Sequence, residues 1–246
     1  VKQPIAMRFA WSHIATPNLM NGKGLPAGAF RAALPIENDW LKNHVSEAKE
    51  YELIYDLDLT RLGANVTYNT DRHQEVHKPF DRIAYLLELQ DANFRTRHLF
   101  VSMDAFTDDL TKIGIPTVSS AAKFQQKITK MNVYSNVKGI VNGTNLDGGN
   151  IEFWPNDYGQ ENGANIANAT MERYDFGDNP REAKDGYGCM QIHNHAAKQT
   201  LFAINHWKDG IRADVGIGNQ TTGEPDWTFA ANASTYRSMR LKVFVK

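Results

Sequence analysis

From residue 51 to residue 245 short apolar runs of strand length recur along the chain, separated by Gly, Asn, Asp and Pro. The runs are 51–59 (YELIYDLDL), 82–90 (RIAYLLELQ), 98–103 (HLFVSM), 123–134 (KFQQKITKMNVY), 150–154 (NIEFW), 171–176 (MERYDF), 187–195 (YGCMQIHNH), 199–206 (QTLFAINH), 212–217 (RADVGI) and 237–245 (RSMRLKVFV). In each, apolar side chains alternate with polar ones or run on for a few residues, the pattern of half-buried or fully buried strands. No helical block separates them. Parallel strands need long crossover connections, usually helices, so a βαβ fold is excluded. The sequence predicts an all-β chain, an antiparallel β-sandwich or jelly roll.

The first fifty residues read differently. Residues 5–11 (IAMRFAW) predict a short strand, and 38–50 (NDWLKNHVSEAKE) a helix of poor apolar periodicity. Between them, Pro17, Gly22, Gly24, Pro26, Gly28 and Pro35 mark an extended linker. The expected organisation is therefore a tail over 1–36 and a β-sandwich over 37–246, a length that suits one large β domain. The formal net charge of −1 gives no electrostatic ground for nucleic acid or an anionic membrane as partner. No apolar run approaches the roughly 20 residues of a membrane-spanning helix. The single cysteine, Cys189, allows no internal disulfide. The opening residues show no charged and then apolar leader pattern.

Three stretches carry groups that can bind or react. In 146–158 (LDGGNIEFWPNDY), Gly148 and Gly149 permit a tight turn, and Asp147, Asn150, Glu152 and Asp157 offer oxygens of the kind calcium takes. Trp154 and Tyr158 offer flat faces on which a sugar ring can stack. The alternative is an ordinary hairpin with a core Trp. In 187–195, period-two alternation puts Tyr187, Cys189, Gln191, His193 and His195 on one strand face, with Met190, Ile192 and Asn194 on the other. The apolar side suits a core and the polar side a concave binding surface. The two histidines could also begin a zinc site, with His206 as third ligand. In 204–207 (INHW), Asn205 and Trp207 sit at the end of a strand expected to pair with 187–195 through a turn at 196–198. Elsewhere, His73, Glu75 and His77 read as a solvated loop, and Asp104, Asp108 and Asp109 as turn or capping residues.

Residues 7–31 carry Arg8-Phe9-Ala10-Trp11, Asn18-Leu19-Met20-Asn21 and Gly24-Leu25-Pro26-Ala27-Gly28-Ala29-Phe30-Arg31. This run resembles the closing segment of the catalytic region of sialate O-acetylesterases. The remainder, through 101–107, 146–156 and 191–197, resembles a C-terminal extension found on some bacterial members of that family. The resemblance implies a parent hydrolase domain as partner and glycan processing outside the cytoplasm, in a secreted or periplasmic bacterial protein. It does not carry the activity over. Those esterases need a Ser in a Gly-Asp-Ser-type block and a late Asp-x-x-His, and neither occurs here. The Gln191-Ile192-His193 strand also resembles one element of jelly-roll alginate lyases, whose other two strand motifs are missing.

The expected function is a non-catalytic carbohydrate-binding or accessory module, using Trp154, Tyr158, Gln191, His193, Asn194, His195, Asn205 and Trp207 on a polysaccharide or glycan. The expected metal is a structural calcium ion held by Asp147, Asn150, Glu152 and Asp157, with no organic cofactor. A second expectation is a polysaccharide lyase on a uronate glycan, with His193 as base, Gln191 polarising the carboxylate and Tyr187 or Tyr174 as acid. A third is a structural module that packs on the parent hydrolase.

Overall fold

A computed structural model of the chain describes residues 6–9, 23, 30–33, 40–62, 66–115, 124–154, 188–206, 213–219 and 232–246. The chain divides into two compact units, Val1–Asn43 and His44–Lys246. In the first, β1 (Ala6–Phe9) pairs antiparallel with β2 (Phe30–Ala33), Arg8 opposite Arg31 and Phe9 opposite Phe30. The stretch expected to be linker thus contributes a strand. The helix expected over 38–50 is instead a single turn, α1 (Trp40–His44), and then a 3₁₀ turn, Ser46–Glu50. Without a sustained apolar stripe, nothing extends the helix further.

The second unit is an all-β sandwich. Its larger sheet contains β3 (Glu52–Asp58), β4 (Thr70–Asp71), β5 (Arg82–Asp91), β6 (Thr96–Asp104), β8 (Met131–Ser135), β9 (Gly143–Leu146) and β14 (Tyr236–Val245), in the order β4-β3-β14-β5-β6-β8-β9. The smaller sheet contains β7 (Phe124–Ile128), β10 (Gly149–Trp154), β11 (Gly188–Asn194), β12 (Gln199–His206) and β13 (Ala213–Ile217), in the order β13-β12-β11-β10-β7. Every described pairing is antiparallel. The run 123–134, one strand by its sequence, is two: β7 and β8 lie in different sheets, and the chain turns between them at Lys130, whose φ is 47°. The strand expected over 171–176 lies outside the described residues.

The core forms where the sheets face each other. Ile83, Tyr85, Leu87 and Leu89 of β5, Leu99 and Val101 of β6, and Leu241 and Val243 of β14 meet Ile151, Phe153, Met190, Ile192, Phe202 and Ile204 of the smaller sheet in one buried cluster. The Tyr85 ring packs edge-on against Phe202, with centroids 6.1 Å apart. The larger sheet is also apolar on its outer face, where Leu86, Phe100 and Phe244 are buried. Tyr51 packs edge-on against Phe100 there, and Glu47 accepts hydrogen bonds from Ser102 and Asn132. Burial on both faces explains the near-continuous apolar run of β5.

Three tyrosine hydroxyls fix the loop after β6. Tyr55 donates to the Leu110 carbonyl, Tyr85 donates to the Ile113 carbonyl, and Tyr68 accepts from the Ile115 N–H. The loop passes so close to Tyr68 that a Cβ at Gly114 would lie 2.2 Å from its hydroxyl oxygen. Asp109 caps the 3₁₀ turn Leu110–Lys112 by accepting from Thr111, and Asp104 pairs with Arg82 at 3.0 Å. No helix among the described residues is long and apolar enough to cross a membrane.

Leu241 lies between Leu57 and Leu87 in the middle of the larger sheet and is fully buried. Leu241→Ala should cost about 2–5 kcal/mol, from lost burial and the cavity left behind. Urea unfolding should show a lower midpoint at an unchanged slope.

Candidate functional site

Alternation along β10, β11 and β12 turns one face of the smaller sheet to the core and leaves the other polar. Met190 and Ile192 go inward, as expected, and pair with Ile204 and Phe202. The polar face carries Asn150 and Glu152 from β10, Gln191 and His193 from β11, and Thr200 and Asn205 from β12, all fully buried. In register, Glu152 lies opposite Gln191 and Asn150 opposite His193. On the far side Gln191 faces Ala203, which faces Gly216 of β13. The row beside Gln191 therefore has a floor of small residues, with Asn205 two positions along the strand.

Thr200 reaches this face through a β-bulge. The register shifts between Ile192 and His193, so that His193 pairs with Thr200 while Leu201 joins the core. A regular ladder would have set Leu201 beside His193; the extra residue re-aims the strand. The expected hairpin between β11 and β12 is present, with its turn at 195–198 and Lys198 at φ 53°. On the other side, Gly148 adopts φ 82° in the turn before β10, as its place in the sequence suggested. Gly149 serves differently: a Cβ there would come 2.5 Å from the His193 carbonyl oxygen, so only glycine lets β10 approach β11 at this point.

Hydrogen bonds order part of the face. His195, half-buried in the hairpin turn, lies with Nε2 2.8 Å from Asn150 Oδ1, and Asn150 Nδ2 donates to Glu152 Oε1 at 2.8 Å. Glu152 Oε1 is also 3.6 Å from His193 Nδ1. Gln191 Nε2 donates to Asn205 Oδ1 at 3.1 Å. Other polar atoms are buried without a hydrogen-bond partner among the described residues: Gln191 Oε1, both ring nitrogens of His193, Thr200 Oγ1 and Asn205 Nδ2. Leaving such a group unmet costs about 1–3 kcal/mol, so their clustering on one face calls for a physical reason.

His193 is neutral in the folded protein. Burial, with a smaller contribution from His195, pushes its imidazole from the ordinary 6.5 down to about 3. The carboxylate at 3.6 Å does not offset the burial. So weak a base is poorly matched to proton abstraction near neutral pH.

The other expected site residues divide. Asn194 lies on the opposite strand face and accepts from Ala197 N–H in the turn, so it is apart from the polar cluster. Asp147 is exposed in the turn, while Asn150 and Glu152 are buried and bonded to each other. Among the described residues no three His, Cys, Asp or Glu side chains group closely enough to hold a metal ion. His206 pairs with Gly188, five positions before His193 and thus about 17 Å along the strand, too far for a shared zinc. Trp154 closes β10 opposite Cys189. Its ring, together with Tyr158, Asp157, Tyr174, Tyr187 and Trp207, lies outside the described residues.

Comparison with known proteins returns no match: no protein-family model, curated protein or solved structure matches the chain.

Because the unfolded chain takes up a proton at His193 near pH 6.5 and the folded chain only near 3, stability is fully present above pH 6.5 and is lost as pH falls through this window. The loss attributable to this group is about 1.4 kcal/mol per pH unit. Urea midpoints at pH 7.5 and 5 should separate more for the wild type than for His193→Gln. Equal separations would show that His193 is not held neutral.

Proposed function

We propose that this chain is a glycan-binding, accessory β-sandwich of a protein that processes glycans outside the cytoplasm. One observation carries the binding reading: the polar face of the smaller sheet presents buried donors and acceptors with no partner among the described residues, at Gln191, His193, Thr200 and Asn205. Proteins keep such groups when something else meets them, because each is expensive to bury unpaired. Beside Gln191 the neighbouring positions are Ala203 and Gly216, neither of which carries a side-chain group that could meet it. The extracytoplasmic setting and a hydrolase partner rest on the resemblance of residues 7–31.

The weak basicity of His193 favours binding over β-elimination, although a carboxylate behind an imidazole is an arrangement that catalytic sites also use. Affinity electrophoresis and calorimetry across neutral, acidic and sulfated polysaccharides should show retention by at least one class. The double variant Gln191→Leu/Asn205→Leu should lose it, by tenfold or more in affinity, while remaining folded. Blank results throughout would remove the proposal. Growth of the unsaturated-uronate absorbance on alginate or glucuronan, abolished in His193→Ala, would replace it with a lyase.

A further inference from the structure

The unpartnered atoms on the polar face differ in kind, and the mixture selects a ligand. Gln191 Oε1, a carbonyl oxygen, can only accept, while its amide nitrogen donates to Asn205. Asn205 Nδ2 can only donate. In His193 the nitrogen nearer the Glu152 carboxylate, Nδ1, is the natural place for the ring proton, which leaves Nε2 as a bare acceptor. Thr200 Oγ1 can do both. The set therefore asks for at least two donors and at least one acceptor from whatever occupies it.

This is a test that ligand classes pass or fail on chemistry alone. A carboxylate or sulfate brings acceptors only; it could satisfy Asn205 and Thr200 but would leave Gln191 Oε1 and His193 Nε2 facing lone pairs. An ammonium group brings donors only and would leave Asn205 unmet. A hydroxyl brings both, and one sugar ring carries several. None of the unpartnered groups is a cation at neutral pH, since burial keeps His193 uncharged. An anion moved onto this face would lose its hydration with no cation among these four groups to replace it. Lys127 lies opposite Asn150 but on the edge strand β7, where it is exposed.

We propose that the polar face of the smaller sheet recognises an uncharged, hydroxyl-rich sugar through Gln191, His193, Thr200 and Asn205, and selects against the corresponding uronate. This rests on the glycan-binding reading above and names its ligand class. It also separates a binding module from a uronate lyase, because a lyase of that kind must welcome a carboxylate, which this set of groups meets only in part.

The test uses matched ligands: neutral oligosaccharides and the same oligosaccharides oxidised at C6, titrated calorimetrically against the full chain at pH 7.5. The neutral series should bind at least tenfold more tightly than its oxidised counterpart. Thr200→Val, which is nearly isosteric, should weaken neutral-sugar binding several-fold while thermal stability holds or rises, because it removes a buried hydroxyl that has no partner in the free protein. Loss of stability in Thr200→Val with unchanged binding would assign Thr200 to the fold and overturn its place in the site. Equal or tighter binding of the oxidised series would overturn the ligand class and leave glycan binding standing. Failure of both series to bind would remove the glycan-binding reading itself, and this inference with it.

Discussion

The smaller sheet can be polar on one face because its other face buries a row of large apolar side chains. Ile151, Phe153, Met190, Ile192, Phe202 and Ile204 are sealed against the larger sheet, and each large side chain buried this way contributes roughly 1.5–3 kcal/mol. That contribution also fixes the register. Since side chains alternate strictly, a slip of one residue would drive Glu152, Gln191 and His193 into the core and bring the apolar set out. The polar face is thus held in place from behind. Its unmet donors and acceptors are tolerated because the core, and not their own bonds, sets where they stand.

Much of this was legible in the sequence. The alternation of 187–195 gave Gln191 and His193 to one face and Met190 and Ile192 to the other, and the structure agrees. The hairpin to 199–206 followed from the short polar turn between them. The strands at 82–90, 98–103 and 237–245 announced themselves by apolar density. Three things did not. Thr200 is hidden by the bulge: counting by twos along β12 puts it on the core side, and no glycine marks the irregularity. The break between β7 and β8 falls at Thr129 and Lys130, neither of which punctuates a sequence, because the left-handed turn is imposed by the two sheets the strands must join. The strands β4 and β9 are short and poor in apolar residues, so pairing at the sheet edges, and no pattern of their own, makes them strands.

In the oxygen-rich run around Gly148 and Gly149, turn and strand give the described residues different places. Asp147, Asn150 and Glu152 are close in sequence, yet the strand sends them apart: Asp147 to solvent and the other two to the buried face, where Asn150 joins His195 to Glu152. A ligand cage needs a loop that folds back on itself, whereas a strand spaces its side chains along a line. What the two glycines provide is a turn at Gly148 and a close strand approach at Gly149, and both serve the placement of His193.

The position of β14 governs when the larger sheet can exist at all. β3 and β5 end about 180 and about 145 residues before the strand that joins them begins, and in the sheet they touch only through it. A ribosome making this chain releases β3 with its hairpin mate β4, and later the β5-β6-β8-β9 group, long before residues 236–245 appear. Until then both partial sheets present an unpaired inner edge lined with Ile54, Leu57, Tyr85 and Leu87, the kind of edge that recruits a stranger's strand. Productive folding is therefore a race between the arrival of the closing strand and pairing with another nascent copy, and slow synthesis or a helper that shields edges should decide the yield more than the stability of the finished sandwich.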